Sequence, residues 1–170
     1  MGEGANMAEF FSELLQNAVI FTIIGATLGF ALAPVPAKFF KHDCFFFQSF
    51  PFEQNGAFYE KYFKITRWKD KLPEFSEIVK VGFCKDSLNS LSKTYLDRFL
   101  TETMRAEFCH VLLILLSPIY FLFDETPWAV TMLIFTVIAN IPFIMIQRYN
   151  RPRIARLLAQ IEKRNARIPN

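Results

Sequence analysis

Long apolar runs alternate with charged stretches along this chain, and three of the runs predict helices that cross a membrane. They cover roughly residues 18–40, 106–123 and 127–147. Crossing about 30 Å of hydrocarbon takes about 20 apolar residues in a helix. The second run proper, 108–123, is shorter than that, so we expect the polar helix before it to continue into the membrane.

The second and third runs are joined only by Asp124-Glu125-Thr126. So short a link forces consecutive helices into an antiparallel hairpin. The pattern therefore predicts an all-α fold, a small polytopic membrane helix bundle. It would form one domain, residues 1–170, with about three transmembrane helices plus interfacial and cytoplasmic helices.

Two further segments lack a long continuous apolar run. The insert 41–105 mixes rings with charges, and its Phe-rich stretch 44–52 is too short to span, which predicts an interfacial or re-entrant segment. The tail 150–167 repeats apolar residues at helical spacing among basic ones. With Asn150 as its cap and Pro152 in its first turn, the tail predicts a separate amphipathic helix lying on the membrane surface.

The charges predict an orientation. All 19 Lys and Arg residues fall on one side of the three spans, whereas the segment before the first span and the link at 124–126 carry only acids. The positive-inside rule then predicts a multi-pass cell-membrane protein with its N-terminus outside and its C-terminus in the cytoplasm. Because no basic residue precedes the first run, we expect a retained anchor rather than a signal peptide. The 21 Phe residues suit lipid and its interface better than a small soluble core.

A candidate catalytic site lies where the second helix enters the membrane. Glu102, Arg105, Glu107 and His110 fall within nine residues, and helix positions three or four apart share a face. His110 then projects between the two carboxylates. We expect it to be a general base oriented by Glu107 or Glu102, unless one of these is itself the base. The alternative is a set of ordinary juxtamembrane charges with a packed histidine.

The third helix brings a second polar set to the same side. These candidate substrate-binding residues are Asn140, Gln147, Arg148, Asn150 and Arg151. The hairpin is expected to place His110 and Gln147 at similar depth. Ionisable groups at the edge of a span usually face protein or a water-filled cavity, which favours one pocket open to the cytoplasm. The alternatives are that Asn140 only links helices and that the arginines only set orientation.

Trp68 and Asp70 lie in the insert among alternating rings and charges. We expect them on a cytoplasmic rim that recognises a sugar or a donor's phosphates. No metal centre or cofactor is expected, because the three Cys lack CxxC spacing and the two His match no HExxH pattern. No P-loop or GxGxxG occurs, and nucleic acid is not an expected partner.

Three blocks of sequence resemble a known family: FYEKYFKITRWKDKLPE, ETMRAEFCH and NIPFIMIQRYNRPR. In order and spacing they resemble the glycosyl-4,4'-diaponeurosporenoate acyltransferase family of small bacterial membrane proteins, over roughly Lys41 to Leu157. The resemblance implies transfer of a fatty acyl group from an activated donor, acyl-CoA or similar, to a hydroxyl of a lipid-linked isoprenoid or carotenoid sugar. In such an enzyme Arg105, Asn140, Arg148 or Arg151 would hold the developing oxyanion or a phosphorylated donor.

Two other functions fit the same pattern. One is another small membrane enzyme that modifies lipids or isoprenoids. The other is a non-enzymatic membrane subunit or lipid-binding adaptor, whose charged helix would dock a partner. An enzyme would turn Glu102, His110 and Asn140 into one cavity, whereas an adaptor would turn them toward headgroups or an exposed patch. The H-x-x-x-x-D pattern of glycerolipid acyltransferases is absent.

Overall fold

Helices and short turns make up the described part of the chain, which is residues 3–41, 44–72, 93–123 and 126–166 of a computed structural model. No strand occurs among these residues. Three helices are long and apolar enough to cross a membrane: Met7–Leu32, Lys93–Leu122 and Pro127–Asn165. The predicted all-α bundle with three candidate spans is therefore confirmed. The tip Asp124-Glu125 and residues 73–92 of the insert lie outside the described ranges.

The first helix, α1, is Glu3–Leu32. It begins well before the predicted boundary at residue 18, since no proline precedes the apolar run. It ends before residue 40, because Pro34 and Pro36 cannot donate the backbone hydrogen bonds that would continue it. Most of its apolar side chains face outward, as lipid contact requires. On its inner face, Gly25 lies against Leu113, and a Cβ added there would be 3.5 Å from Leu113 Cδ1.

The second long helix, α3, is Lys93–Leu116, and a 3₁₀ segment, Ser117–Leu122, extends it. Its first half is charged and its second half apolar, so the polar helix does continue into the apolar run. The 3₁₀ segment begins beside Pro118, whose missing N–H interrupts the α-helical hydrogen bonds.

The last helix, α4, is Thr126–Asn165, with 40 residues. At 1.5 Å per residue it is about 60 Å long, roughly twice the hydrocarbon thickness. The prediction of a separate tail helix capped by Asn150 is wrong, because α4 continues through Pro142 and Pro152. Each proline removes only one backbone hydrogen bond, and packing on both sides holds the helix together. Its far end is tied to the start of α3 by Lys93 Nζ and Glu162 Oε1, 2.7 Å apart.

The described part of the insert folds back onto the helices. It consists of the helix α2, Ala57–Phe63, short 3₁₀ turns at Phe45–Phe47, Pro51–Gly56, Ile65–Arg67 and Lys69–Lys71, and the first turns of α3. One more 3₁₀ turn, Ala37–Phe39, comes just before the insert. Two apolar clusters attach it. Phe40 and Phe47 pack with Leu100 and Met104 of α3. Tyr59 and Ile65 pack with three residues of α4, namely Met145, Ile146 and Tyr149.

Candidate functional site

Two arginines of α4 and two carboxylates form a buried ion cluster where the apolar halves of α3 and α4 meet their charged halves. Arg148 donates from Nε to Glu107 Oε1 at 2.7 Å and from Nη1 to Glu53 Oε1 at 2.9 Å. Arg151 donates from Nη2 to Glu107 Oε2. Glu107 and Glu53 are 0% and 1% exposed. Two positive and two negative charges balance, which limits the cost of removing them from water.

The Phe-rich segment covers this cluster. The backbone carbonyls of Phe46 and Phe47 accept hydrogen bonds from Arg148 at 3.0 Å and Arg151 at 2.9 Å. The guanidinium of Arg148 also lies 4.7 Å from the Phe50 ring centre, and that of Arg151 lies 5.4 Å from the ring centre of Phe47. A desolvated cation–π contact contributes about 2 kcal/mol. The segment therefore forms a wall of the ion cluster, a role that the sequence analysis did not anticipate.

Glu53 is the residue of this cluster that the sequence analysis missed. Besides Arg148, its carboxylate accepts hydrogen bonds from the Tyr59 hydroxyl at 2.6 Å and from the Phe50 N–H at 2.9 Å. Burial, reinforced by the neighbouring Glu53 carboxylate, raises the pKa of Tyr59, so Tyr59 stays a hydrogen-bond donor at neutral pH. The one available signal was a single acid in the ring-rich stretch FPFEQN.

A left-handed turn fixes Glu53 against α4. Gln54, Asn55 and Gly56 follow with φ of 48°, 55° and 94°. At Gly56 an added Cβ would lie 3.1 Å from the Tyr149 carbonyl oxygen, so glycine allows this close approach. Successive non-glycine residues in the left-handed region cost free energy and persist only where surrounding contacts enforce them. Here the contacts are those of Glu53 and of the α4 backbone.

One turn deeper along α3, His110 pairs with Asn140. The distance from His110 Nδ1 to Asn140 Oδ1 is 2.7 Å, and the imidazole stacks on Phe143 with 4.8 Å between ring centres. Asn140 Nδ2 donates to the backbone carbonyl of Thr136 at 2.7 Å. A carbonyl can only accept, so the amide must present its oxygen to the ring and Nδ1 must be the donor. A neutral His110 then carries its lone pair on Nε2, as a general base requires.

The structure does not pair His110 with Glu107 or Glu102 as predicted. Glu107 is occupied by the two arginines of α4. Glu102 instead bonds Arg105 at 2.5 Å. Arg105 also donates to the carbonyl of Val35 at 2.9 Å, so this pair attaches α3 to the chain just after α1. Helical spacing correctly placed the two glutamates on the same stretch of helix as His110. Their carboxylates nevertheless bind arginines rather than the imidazole.

The remaining predicted residues lie around this centre. The partner of His110 is Asn140 rather than a residue near Gln147, because His110 and Asn140 are equally far from the hairpin link. Gln147 and Asn150 are half-buried on α4, outside the hydrogen bonds of the ion cluster.

The two predicted residues of the insert lie apart from these. Trp68 packs on the apolar cluster that Tyr59 and Ile65 form with α4, and it donates to the Phe63 carbonyl at 2.9 Å. Asp70 is exposed and bonds Lys69 at 2.7 Å.

Comparison with known proteins decides the family. Residues 42–160 match the statistical model of a family described as glycosyl-4,4'-diaponeurosporenoate acyltransferase. The chain belongs to this family. Relatives carrying that name in Staphylococcus aureus strains bovine RF122/ET3-1 and USA300 are each 33% identical over 135 residues, covering 78% of this chain and 80% of theirs. No solved structure matches.

Membership of the glycosyl-4,4'-diaponeurosporenoate acyltransferase family confirms the predicted resemblance and the prediction of an enzyme, an acyltransferase. Acyl transfer to a hydroxyl needs a base for the hydroxyl proton and donors for the developing oxyanion. Of the described ionisable groups, His110 is the one held by a neutral partner with a nitrogen lone pair left over. The arginines of the ion cluster already donate to carboxylates and backbone carbonyls. Among the described residues, no three His, Cys, Asp or Glu side chains are grouped as metal ligands.

Proposed function

We propose that this protein transfers a fatty acyl group from an activated donor to a sugar hydroxyl of a membrane-embedded carotenoid glycoside, with His110 as the general base. The observation that carries the proposal is the hydrogen-bonded series from Thr136 through Asn140 to His110, which leaves the lone pair on Nε2. The name of the S. aureus relatives, glycosyl-4,4'-diaponeurosporenoate acyltransferase, supports the acceptor class. The donor we propose is a thioester such as acyl-CoA, whose carbonyl carbon is activated for attack by a hydroxyl.

The reaction proceeds in two balanced steps. As the sugar oxygen attacks the acyl carbonyl carbon, a C–O bond forms and His110 Nε2 takes the hydroxyl proton. The tetrahedral intermediate then collapses, the bond from carbon to the leaving group breaks, and the proton on His110 passes to that group. With a thioester donor the products are a sugar ester and a free thiol. The imidazole ends neutral, ready for another cycle.

We assign supporting roles to the other predicted residues. Glu107, with Arg148 and Arg151, holds α3, α4 and the Phe-rich segment in register. Glu102 fixes Arg105, which attaches α3 to the chain just after α1. These groups position His110 and do not exchange protons with substrate. Gln147 and Asn150 on α4, and Trp68 and Asp70 on the insert, are assigned to the approach for the polar ends of the substrates.

The orientation we propose places the N-terminus outside and the C-terminus in the cytoplasm. The support is the one-sided distribution of all 19 basic residues. An acyl donor with a charged carrier would then approach from the cytoplasm, over the basic half of α4. Its acyl chain would extend into the apolar half of the bundle, past His110.

The proposal is tested with purified protein in liposomes, supplied with a long-chain acyl-CoA and a glycosylated carotenoid acid. The expected product is the acylated glycoside, identified by mass spectrometry, with one free thiol released per ester formed. Protein-free liposomes are the control. Thiol release without ester would identify a hydrolase and contradict the proposal. Absence of both products with thioester donors of any chain length would contradict it as well.

A further inference from the structure

Thr136 has a buried hydroxyl that the mechanism above does not use. The residue is 0% exposed, and its Oγ1 has no hydrogen-bond partner among the described residues. Other helical threonines of the same chain satisfy their hydroxyls on their own helix. Thr22, Thr27 and Thr131 each donate to the carbonyl four residues earlier at 2.8 Å. Thr136 is more buried than these residues and yet lacks this bond, so helix geometry alone does not explain it.

This hydroxyl belongs to the residue that anchors the His110–Asn140 pair. Positions 136 and 140 are one turn apart and share a face of α4. Two hydrogen bonds of 2.7 Å connect the Thr136 backbone carbonyl, the Asn140 amide and the imidazole. The Thr136 side chain is therefore buried one turn from Asn140 along α4, on the face that carries the partner of His110. A buried hydroxyl without a partner costs free energy, which valine of nearly the same shape would avoid.

We propose that the Thr136 hydroxyl donates a hydrogen bond to the carbonyl oxygen of the acyl group in transfer. This inference rests on the proposed function of His110. When the sugar oxygen attacks, negative charge develops on the carbonyl oxygen, and a donor in a water-free site stabilises it strongly. The burial of Thr136 excludes water from its hydroxyl, so entry of the acyl group requires the surrounding apolar side chains to move.

The arrangement separates two tasks between the helices. His110 of α3 moves the proton of the attacking hydroxyl. Thr136 of α4 stabilises the oxyanion by donating a hydrogen bond. Its O–H bond stays intact throughout, and the hydrogen bond weakens again as the tetrahedral intermediate collapses. Asn140 connects the two groups by accepting from one and donating to the backbone of the other. The ligand class implied is an acyl ester or thioester, bound with its carbonyl between the two helices.

The test compares Thr136→Val, which removes the hydroxyl at nearly constant volume, with Thr136→Ser, which keeps it. In the liposome assay Thr136→Val should lower kcat by about 10²-fold with little change in KM, the loss expected of one oxyanion donor. Thr136→Ser should stay within about threefold of wild type, since the donor remains. The thermal midpoint of Thr136→Val should be equal to or above that of wild type, because an unpaired polar group has been removed.

This assignment would be overturned by wild-type kcat in Thr136→Val, by equal losses in both variants, or by a lower thermal midpoint in Thr136→Val. A change confined to KM would also overturn it, since that effect belongs to ground-state binding. His110→Ala, measured in parallel, separates the two proposals. If His110→Ala is inactive while Thr136→Val is normal, only the role of Thr136 fails. If both variants are fully active, the proposed role of His110 fails together with the role of Thr136.

Discussion

At the scale of single residues, Asn140 determines what His110 can do chemically. An asparagine that donates to a backbone carbonyl has only its oxygen left for the ring, and this sets which imidazole nitrogen carries the proton. Had Glu107 bonded the ring instead, the carboxylate would have favoured the charged imidazolium. The neutral partner leaves His110 a base, and the carboxylate is used elsewhere to hold the two arginines.

Asn140→Leu should therefore lower kcat by at least about tenfold, since the ring loses its fixed tautomer and orientation. The decisive measurement is a double-mutant cycle with His110→Ala. Because Asn140 acts through His110, the double variant should be no slower than His110→Ala alone. Losses that add would show that Asn140 acts on the substrate independently.

The two glutamates on α3 should differ sharply in their effect on stability. Glu107→Gln leaves two buried arginines with one carboxylate, which should destabilise the fold by about 3–5 kcal/mol. Glu102→Gln is the matched control. Its salt bridge with Arg105 is partly exposed, so the same change should cost roughly 0–1 kcal/mol. Chemical denaturation in detergent measures both, and equal losses would contradict the structural role given to Glu107.

At the scale of elements, the pattern of apolar runs predicted which parts of the chain become helices better than where each helix begins and ends. The hairpin link alone predicts that His110 and Asn140 lie at equal depth, although our expectation placed Gln147 there. The continuity of α4 through Pro152 depends on packing with α3 and the insert, which local sequence does not contain. Glu53 reaches Arg148 across 95 residues, a separation over which helical periodicity carries no information.

The continuous α4 makes a testable prediction at its far end. Lys93 and Glu162 are close enough for a carbodiimide to join them directly as an amide. Tryptic mass spectrometry of the treated protein should reveal this cross-link, and Glu162→Gln should abolish it. A tail helix lying on the membrane, away from α3, would give no such link.

At the scale of the whole molecule, the lengths of the helices and the positions of their charges together define where the site lies. The described residues contain three candidate spans, and α4 continues beyond its apolar half into a basic half. Both pairing helices change from apolar to charged at the ion cluster. The His110–Asn140 pair lies on the apolar side of the ion cluster, one turn along α3 from Glu107. From the sequence we expected the polar groups of both helices in one pocket near His110 and Gln147. In the fold His110 instead pairs with Asn140, and the Phe-rich segment covers the ion cluster.

Single-cysteine labelling tests the orientation in a variant whose three natural cysteines are replaced. A membrane-impermeant maleimide should label Ser12→Cys on intact cells, because the acidic N-terminal end of α1 is proposed to lie outside. Gln160→Cys, near the basic end of α4, should react only after permeabilisation. The reverse pattern would invert the topology, and labelling of both positions on intact cells would exclude an odd number of spans.

The most direct test of the central claim is the turnover of His110→Ala in liposomes with an acyl-CoA donor and a glycosylated carotenoid acceptor. Size-exclusion chromatography and the thermal midpoint confirm first that the variant is folded. With His110 as the base, we expect kcat to fall by about 10²–10⁴-fold, the usual contribution of a positioned base. Turnover close to that of the wild type would contradict it and would make His110 a packing residue between α3 and α4.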